Sequence, residues 1–157
     1  MTRRRFAQTV LDLLRQGVSP PKLAASLALG SLIGVIPVLG ITTVLCMAVA
    51  LLFRLNLVAI QLANWLVYPL QIALLYPFYW VGARLFGTGE FELSGSEIFH
   101  LLSTDWVMAI REFWDATLRA VAAWLIASLA LGPPLYAALG FLLRSAWRSN
   151  SSSRVQP

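Results

Sequence analysis

The hydrophobic positions of the chain lie in three long stretches that contain no charged residue, which are residues 23–53, 55–83 and 120–143. Each stretch is longer than the roughly 20 residues with which a helix crosses the hydrocarbon core of a bilayer. A helix in the core of a soluble protein rarely runs so far without a polar face. The pattern therefore predicts an all-α integral membrane protein.

The first stretch carries a break near its middle. As one helix it would be longer than the roughly 30 Å hydrocarbon layer, and Gly34, Pro37 and Gly40 interrupt it. Proline removes a helical hydrogen bond and glycine relaxes the backbone. The pattern predicts a Pro/Gly-broken helical hairpin that is re-entrant, entering and leaving on one side. The alternative is an ordinary kinked helix packed on a neighbour.

Polar and small residues near the break suggest how a hairpin would be completed. Thr42 and Thr43 could satisfy part of the backbone exposed at its tip. Gly30 and Gly34 form a GxxxG pair, which allows close contact with another helix. Residues 55–83 hold amides such as Asn64, and amides inside a membrane segment tend to face other helices. One membrane crossing is predicted within this second stretch.

The chain divides into five parts. Residues 1–22 form a basic amphipathic N-terminal segment, and residues 23–84 form a membrane core with broken helices. Residues 85–118 hold every acidic residue except Asp12, and an amphipathic interfacial helix is predicted there. The remaining parts are a C-terminal membrane helix at 119–148, broken at Gly132-Pro133-Pro134, and a disordered Ser-rich tail at 149–157.

Charge adds an orientation to this plan. The protein has 12 basic and 7 acidic residues, a net charge of +5, and 59% of its residues are hydrophobic. Basic residues cluster before the first apolar stretch and after the last one, as cytoplasmic flanks do under the positive-inside rule. We expect both termini on the cytoplasmic side of a bacterial inner membrane. Because the basic residues do not gather on one folded face, no nucleic-acid partner is expected.

Several short motifs resemble a known family. The stretch SPPKLAASLALGSLIGVIPVLGITT, followed by LLFRLNLVAIQLANWLVYPLQ, resembles the bacterial membrane family catalogued as domain of unknown function 2062. Members share an SP-x-x-x-A motif, a G-x-x-x-G-x-x-P-x-x-G break, an R-x-N turn and an N-P-L-T motif. The positions that match are Ser19, Pro20, Gly30, Gly34, Pro37, Gly40, Arg54, Asn56, Pro69 and Leu70.

The last motif departs from the family pattern. Tyr68 stands in the position of the asparagine and Gln71 in that of the threonine, so a role that depends on that asparagine is open here. Asn64, one helical turn earlier, is a candidate replacement. The resemblance covers roughly residues 17–140 and implies the membrane fold, while the family's name implies no activity.

The chemistry available argues against an enzyme. Catalysis needs convergent nucleophiles, acids, bases or metal ligands, and the chain has one histidine, His100, and one cysteine, Cys46. The sequence contains no phosphate-binding loop, metal-ligand spacing or catalytic triad. No cofactor and no metal are expected. We interpret Cys46 as a buried or lipid-facing thiol and His100 as a surface residue.

Two classes of function remain. One is transport or handling of a lipid or a small anionic substrate, in which the broken helix offers backbone amides to an anion. The other is an assembly or interaction subunit that packs on itself or on another membrane protein. Membrane lipids are expected partners in either case. Arg54 either snorkels to headgroups, caps a helix or contacts an anion. The candidate site residues are Gly30, Gly34, Pro37, Gly40, Thr42, Thr43, Arg54, Asn56, Asn64, Tyr68 and Pro69.

Overall fold

The described part of the protein is all-helical. The computed structural model describes residues 19–87 and 106–152, and this part contains five helices and no strand. The helices are α1 (Pro20–Gly34), α2 (Thr42–Phe53), α3 (Leu57–Leu66), α4 (Tyr68–Leu85) and α5 (Trp106–Ser152). The basic segment at 1–18 and most of the predicted amphipathic helix lie outside the described residues.

The predicted break in the first apolar stretch is confirmed. α1 starts at Pro20, where a missing N–H costs nothing because the first turn has no partner for it, and it ends at Gly34. Residues 35–41 leave the helical path before α2 starts. Gly40 has a φ of 88°, a conformation that glycine adopts freely. Pro37 is fully buried in this loop, which we call the break.

The turn between α2 and α3 caps the end of α2 and the start of α3. The Leu55 N–H donates to the carbonyl of Ala50 at 2.8 Å, and the Arg54 N–H donates to that of Leu51 at 3.4 Å. This is the hydrogen-bond pattern of a Schellman C-cap, with Arg54 in the left-handed conformation at φ 51°. Asn56 then caps α3, because its Oδ1 accepts from the Ala59 N–H at 2.9 Å.

The second apolar stretch is two helices rather than one. α3 and α4 meet at Val67 with a bend of 61°. Pro69 lies in the first turn of α4, where a proline fits, and its presence favours a new helix start over a continued one. The single crossing predicted within residues 55–83 would therefore be a broken span.

α1 and α3 run in the same direction and touch closely. Ser26 lies beside Asn56, and Gly30 lies against Ile60, so both residue numbers rise together along the contact. α2 covers the pair through a small cluster of buried residues. The buried members are Ile33, Cys46, Ala50 and Ile60.

α5 is a single helix of 47 residues, and three sequence-based expectations change with it. It passes without interruption through residue 118, through Pro133 and Pro134, and into the predicted disordered tail as far as Ser152. The expected interruption at the prolines is wrong. Proline already has a helical φ, so this helix loses the bonds to two carbonyls without ending. Gly132 rests near Leu32 of α1, which supports the helix there.

α5 runs antiparallel to α1. The Trp124 Nε1 donates to the carbonyl of Leu32 at 2.9 Å, near the end of α1. Further along α5, a Cβ built on Gly140 would lie 4.0 Å from the Cβ of Ala24, near the start of α1. The start of α1 and the end of α5 are therefore at the same end of the protein.

The surface of the described part is strongly apolar. Large hydrophobic side chains are well exposed on different helices, including Leu52 at 76%, Leu66 at 82% and Leu129 at 76%. Among the described helices, α5 is long and apolar enough over Ile110–Ser145 to cross a membrane, and α3 with α4 passes the same test only as one bent span.

Candidate functional site

The break is held by a buried amide from α4. The Gln71 Nε2 donates to the carbonyl of Ile36 at 2.8 Å and lies 3.4 Å from that of Val38. Gln71 is only 1% exposed. The two carbonyls belong to a segment without helical partners, and a buried carbonyl without a hydrogen bond is costly. The Val38 N–H also donates to the carbonyl of Ile36 at 2.8 Å, so Gln71 adds a second donor to that carbonyl and a longer contact to the carbonyl of Val38.

Sequence reasoning missed this role of Gln71. It proposed that Thr42 and Thr43 could satisfy part of the exposed backbone, whereas the side-chain donor at the break is Gln71. The bend at Val67 carries the first turns of α4 back over the break. The one available signal for this role was the Gln71 amide itself, because a polar amide within an apolar stretch needs a hydrogen-bond partner.

A second amide pair ties α3 to α2. The Gln61 Nε2 donates to the carbonyl of Thr43 at 2.9 Å, and the Asn64 Nδ2 lies 3.4 Å from the Gln61 Oε1. A carbonyl only accepts, so Thr43 fixes the orientation of Gln61, and Gln61 fixes that of Asn64. Asn64 is 3% exposed and packs against Gly34. That Asn64 replaces the asparagine of the family's N-P-L-T motif stays a prediction.

The GxxxG pair of α1 packs against α3 of the same chain. A Cβ on Gly30 would collide with the carbonyl oxygen of Ile60 and would lie 2.9 Å from the Cβ of Ala63. A Cβ on Gly34 would lie 3.0 Å from the Oδ1 of Asn64. Only glycine permits this approach of α1 to α3, as the spacing predicts.

At the opposite end of α1, a buried hydroxyl joins the helix to the α2–α3 turn. The Ser26 Oγ donates to the carbonyl of Lys22 at 2.8 Å and accepts from the Asn56 N–H at 3.0 Å. Ser26 has no exposed surface. Arg54 caps α2 through its backbone, while its side chain is exposed and has no hydrogen bond or ion pair with any described residue. Arg54 therefore caps a helix, as one of its three hypotheses has it, but through its backbone N–H and not through its guanidinium.

The remaining candidates do not converge on one point. Thr42 is buried at the first position of α2, and Gly40 is exposed with open space around it. Tyr68 is 51% exposed, and Pro69 is exposed beside it, so neither contributes to the buried polar contacts at the break. Pro37 lines a cavity beside the break.

That cavity is an open groove of about 510 Å³ between the break, α4 and α5. One wall carries a hydroxyl pair, because the Tyr79 hydroxyl lies 2.9 Å from the Thr117 Oγ1, which donates to the carbonyl of Phe113 at 2.8 Å. Within the described part of the chain, no charged side chain lines the groove. The lining residues are Pro37, Val38, Leu39, Leu75, Tyr76, Tyr79, Phe113 and Thr117.

A second cavity of about 360 Å³ lies between α1 and α5. Its walls are mostly apolar and include Leu32, Leu129 and Pro133. Among residues 19–87 and 106–152, the His, Cys, Asp and Glu side chains form no group of three that could hold a metal ion.

The comparison with known families decides what this chain is related to. The sequence model of domain of unknown function 2062, described as an uncharacterized protein conserved in bacteria, matches residues 3–156. The chain belongs to this family. The resemblance predicted from its short motifs is confirmed, and the match extends well beyond the motifs at both ends. No curated protein and no solved structure is significantly similar to the chain.

As a member of the domain of unknown function 2062 family, the chain places the family motifs at its structural junctions. The glycines of the broken motif form the α1–α3 contact, and the R-x-N turn forms the α2 cap and the α3 cap. The divergent Gln71 bonds the break. In this member of the family, the motif residues hold the helices together, and the apolar groove lies beside them.

Proposed function

We propose that this protein is an integral protein of the bacterial inner membrane that binds a lipid acyl chain in the groove beside the break. The observation that carries the proposal is the groove itself, which is open and apolar and whose described lining residues carry no charge. It requires no catalytic step, so the protein acts as a lipid-handling protein and not as an enzyme.

The length of α5 supports the membrane placement. Its uncharged part, residues 120–143, is roughly 36 Å long at 1.5 Å per residue, which exceeds the roughly 30 Å hydrocarbon layer. α1 lies along this part of α5, from Gly140 to Trp124. The break lies near Phe113 and Thr117, beyond Arg119. The hairpin then enters on the side of Lys22, and its tip reaches toward the far headgroups.

The balance of core and surface also supports a lipid environment. Many buried residues between the helices are small, such as Ala24, Ser26 and Ala59, while the large apolar side chains point outward. Membrane helices pack through small residues, because lipid offers no hydrophobic drive to bury large ones. A soluble monomer rarely leaves such an apolar surface in water.

The groove favours an acyl chain among the substrates first considered. By the placement above, the groove lies at the level of the far headgroups, and the headgroup end of an acyl chain can enter it without desolvating a charge. A small anion would need a cation or free N–H groups, and the described part of the lining contains no Lys or Arg. The alternative of an assembly subunit is weakened because Gly30 and Gly34 face α3 and are covered.

Filling the groove tests the proposal. Leu75→Trp should place an indole among Pro37, Tyr79 and Phe113 and exclude the chain. In vesicles containing a phospholipid with a photoreactive acyl chain, we expect labelling of the peptide that holds Phe113 to fall severalfold. Leu70→Trp is the matched control, since Leu70 lies on the same helix, is 50% exposed and does not line the groove.

If the groove is the acyl-chain binding site, the control variant Leu70→Trp must be labelled as strongly as the wild type. Equal labelling in Leu75→Trp and wild type would refute acyl-chain binding there. If lipid labels neither protein while a second polypeptide crosslinks at the groove, the assembly function replaces the lipid-handling one.

Orientation can be measured separately. In a Cys46→Ser background, we expect an impermeant thiol reagent added outside cells to modify Glu92→Cys but not Asn150→Cys. The reason is that the basic flanks should stay cytoplasmic. Disrupting the cells should then expose position 150. The opposite pattern would place both termini outside.

A further inference from the structure

Three cationic residues lie at the end of the protein opposite the break. Lys22 and Asn56 are linked through Ser26, which bonds to both, and Arg54 lies two residues before Asn56. Gly140 of α5 lies beside Ala24, so Arg144, one turn later, reaches the same end. All three cationic residues are exposed.

No described acidic residue balances these charges. The described acids are Glu112 and Asp115, and both lie in the first part of α5, at the other end of the protein. The described residues around Arg54 therefore form a surface of one charge sign, which would attract an anion.

The capping role of Arg54 explains its left-handed backbone but not its arginine side chain. Its left-handed backbone position is one that glycine fills without strain, and the cap uses only the N–H groups of residues 54 and 55. The guanidinium is thus an addition to the cap. It projects from a surface whose nearest neighbours are apolar and exposed, with Leu52 at 76% and Phe53 at 60%.

We propose that this end binds the phosphate of an anionic phospholipid, with Arg54 as the principal contact, Lys22 and Arg144 beside it, and the acyl chains against α2. A guanidinium can hold phosphate oxygens in a bidentate manner. The exposed Leu52 and Phe53 favour a ligand that carries a chain as well as an anion, which is a lipid and not free phosphate. The site is distinct from the groove, but it rests on the membrane placement proposed above.

The left-handed position gives an unusually clean variant. Arg54→Gly removes the guanidinium and suits the backbone better, so its thermal midpoint should equal or exceed that of the wild type. From vesicles of phosphatidylcholine with a minor fraction of phosphatidylglycerol, we expect purified wild-type protein to retain phosphatidylglycerol above its bulk share. Arg54→Gly should reduce this enrichment about fivefold, the effect expected for one cation near a lipid surface.

Two further variants and one competitor complete the test. Arg54→Asn also tolerates the left-handed conformation and should lose the enrichment in the same way. Arg84→Gln is the charge control, because Arg84 is exposed at the other end of the protein and stacks 4.4 Å from the Trp80 ring centre. It should keep the enrichment. Inorganic phosphate should not displace the lipid.

Each contrary result overturns the proposal. Wild-type enrichment in Arg54→Gly and Arg54→Asn would leave Arg54 without a lipid role, and an equal loss in Arg84→Gln would reduce the effect to net charge. Displacement by phosphate would make the ligand a free anion. An alkaline wash separates this failure from that of the membrane placement, since a protein that washes off the vesicles is not embedded in them.

Discussion

Gly30→Ala is expected to destabilise the protein by about 3 kcal/mol, at the upper end of what overpacking usually costs. The new Cβ would collide with the carbonyl oxygen of Ile60 and would lie 3.0 Å from its carbonyl carbon. Backbone cannot rotate away as a side chain can, so α1 and α3 must separate. Folded yield and thermal midpoint in detergent or nanodiscs would measure the loss.

Gly140→Ala is the matched control for this substitution. The nearest atom to its new Cβ would be the Cβ of Ala24 at 4.0 Å, an ordinary contact. Alanine is a better helix former than glycine by roughly 1 kcal/mol, so this variant should be neutral or more stable. A tolerated Gly30→Ala would mean that the α1–α3 approach is looser than the structure has it.

Gln71→Met is expected to destabilise the protein by about 2 kcal/mol, because it removes the buried bond to the carbonyl of Ile36 and the longer contact to that of Val38. The carbonyl of Ile36 then keeps only the Val38 N–H as its donor, at 2.8 Å. Methionine has nearly the shape of glutamine, so the loss reports hydrogen bonding and not a cavity. Thermal unfolding should show it, and proteolysis in the break should accelerate.

Gln61→Met provides the comparison for Gln71. Its bond to the carbonyl of Thr43 is exposed, so loss of that bond should cost only about 0.5–1 kcal/mol. Equal effects of the two substitutions would mean that Gln71 is no more important to the break than a surface amide.

Local signals in the sequence predicted the parts of the fold that local physics decides. Pro37 removes a helical hydrogen bond and Gly40 adopts a positive φ, so residue chemistry favours an interruption near them. The close contact at Gly30 follows from a spacing of four residues. Both features are found where the sequence places them.

Long-range contacts were beyond the sequence. Gln71 reaches a carbonyl 35 residues earlier, and nothing near it in the chain indicates that partner. The 61° bend at Val67 depends on how α4 meets the break, although Pro69 was a usable sign of a helix start. At Pro133 the sequence predicted a break that the structure does not have, because a helix supported by a neighbour can pass through a proline.

The candidate site was predicted in part. The sequence singled out Arg54 and Asn56, and the structure uses both in the turn, but the left-handed backbone of Arg54 could not be foreseen at a position that normally favours glycine. The groove depends on α4 and α5 meeting at the break. Its residues Leu75, Tyr79 and Phe113 carry no distinguishing local pattern.

The bond between Gln71 and the break has a consequence for biogenesis. The chain is synthesised from its N-terminus, so the α1–α2 hairpin emerges before the residue that satisfies its tip. Until Gln71 follows, the carbonyl of Ile36 has only the Val38 N–H as a partner, and the carbonyl of Val38 can bond only to water or to the insertion machinery. We expect the hairpin to wait in a hydrated environment, and its final burial to be coupled to the arrival of α4.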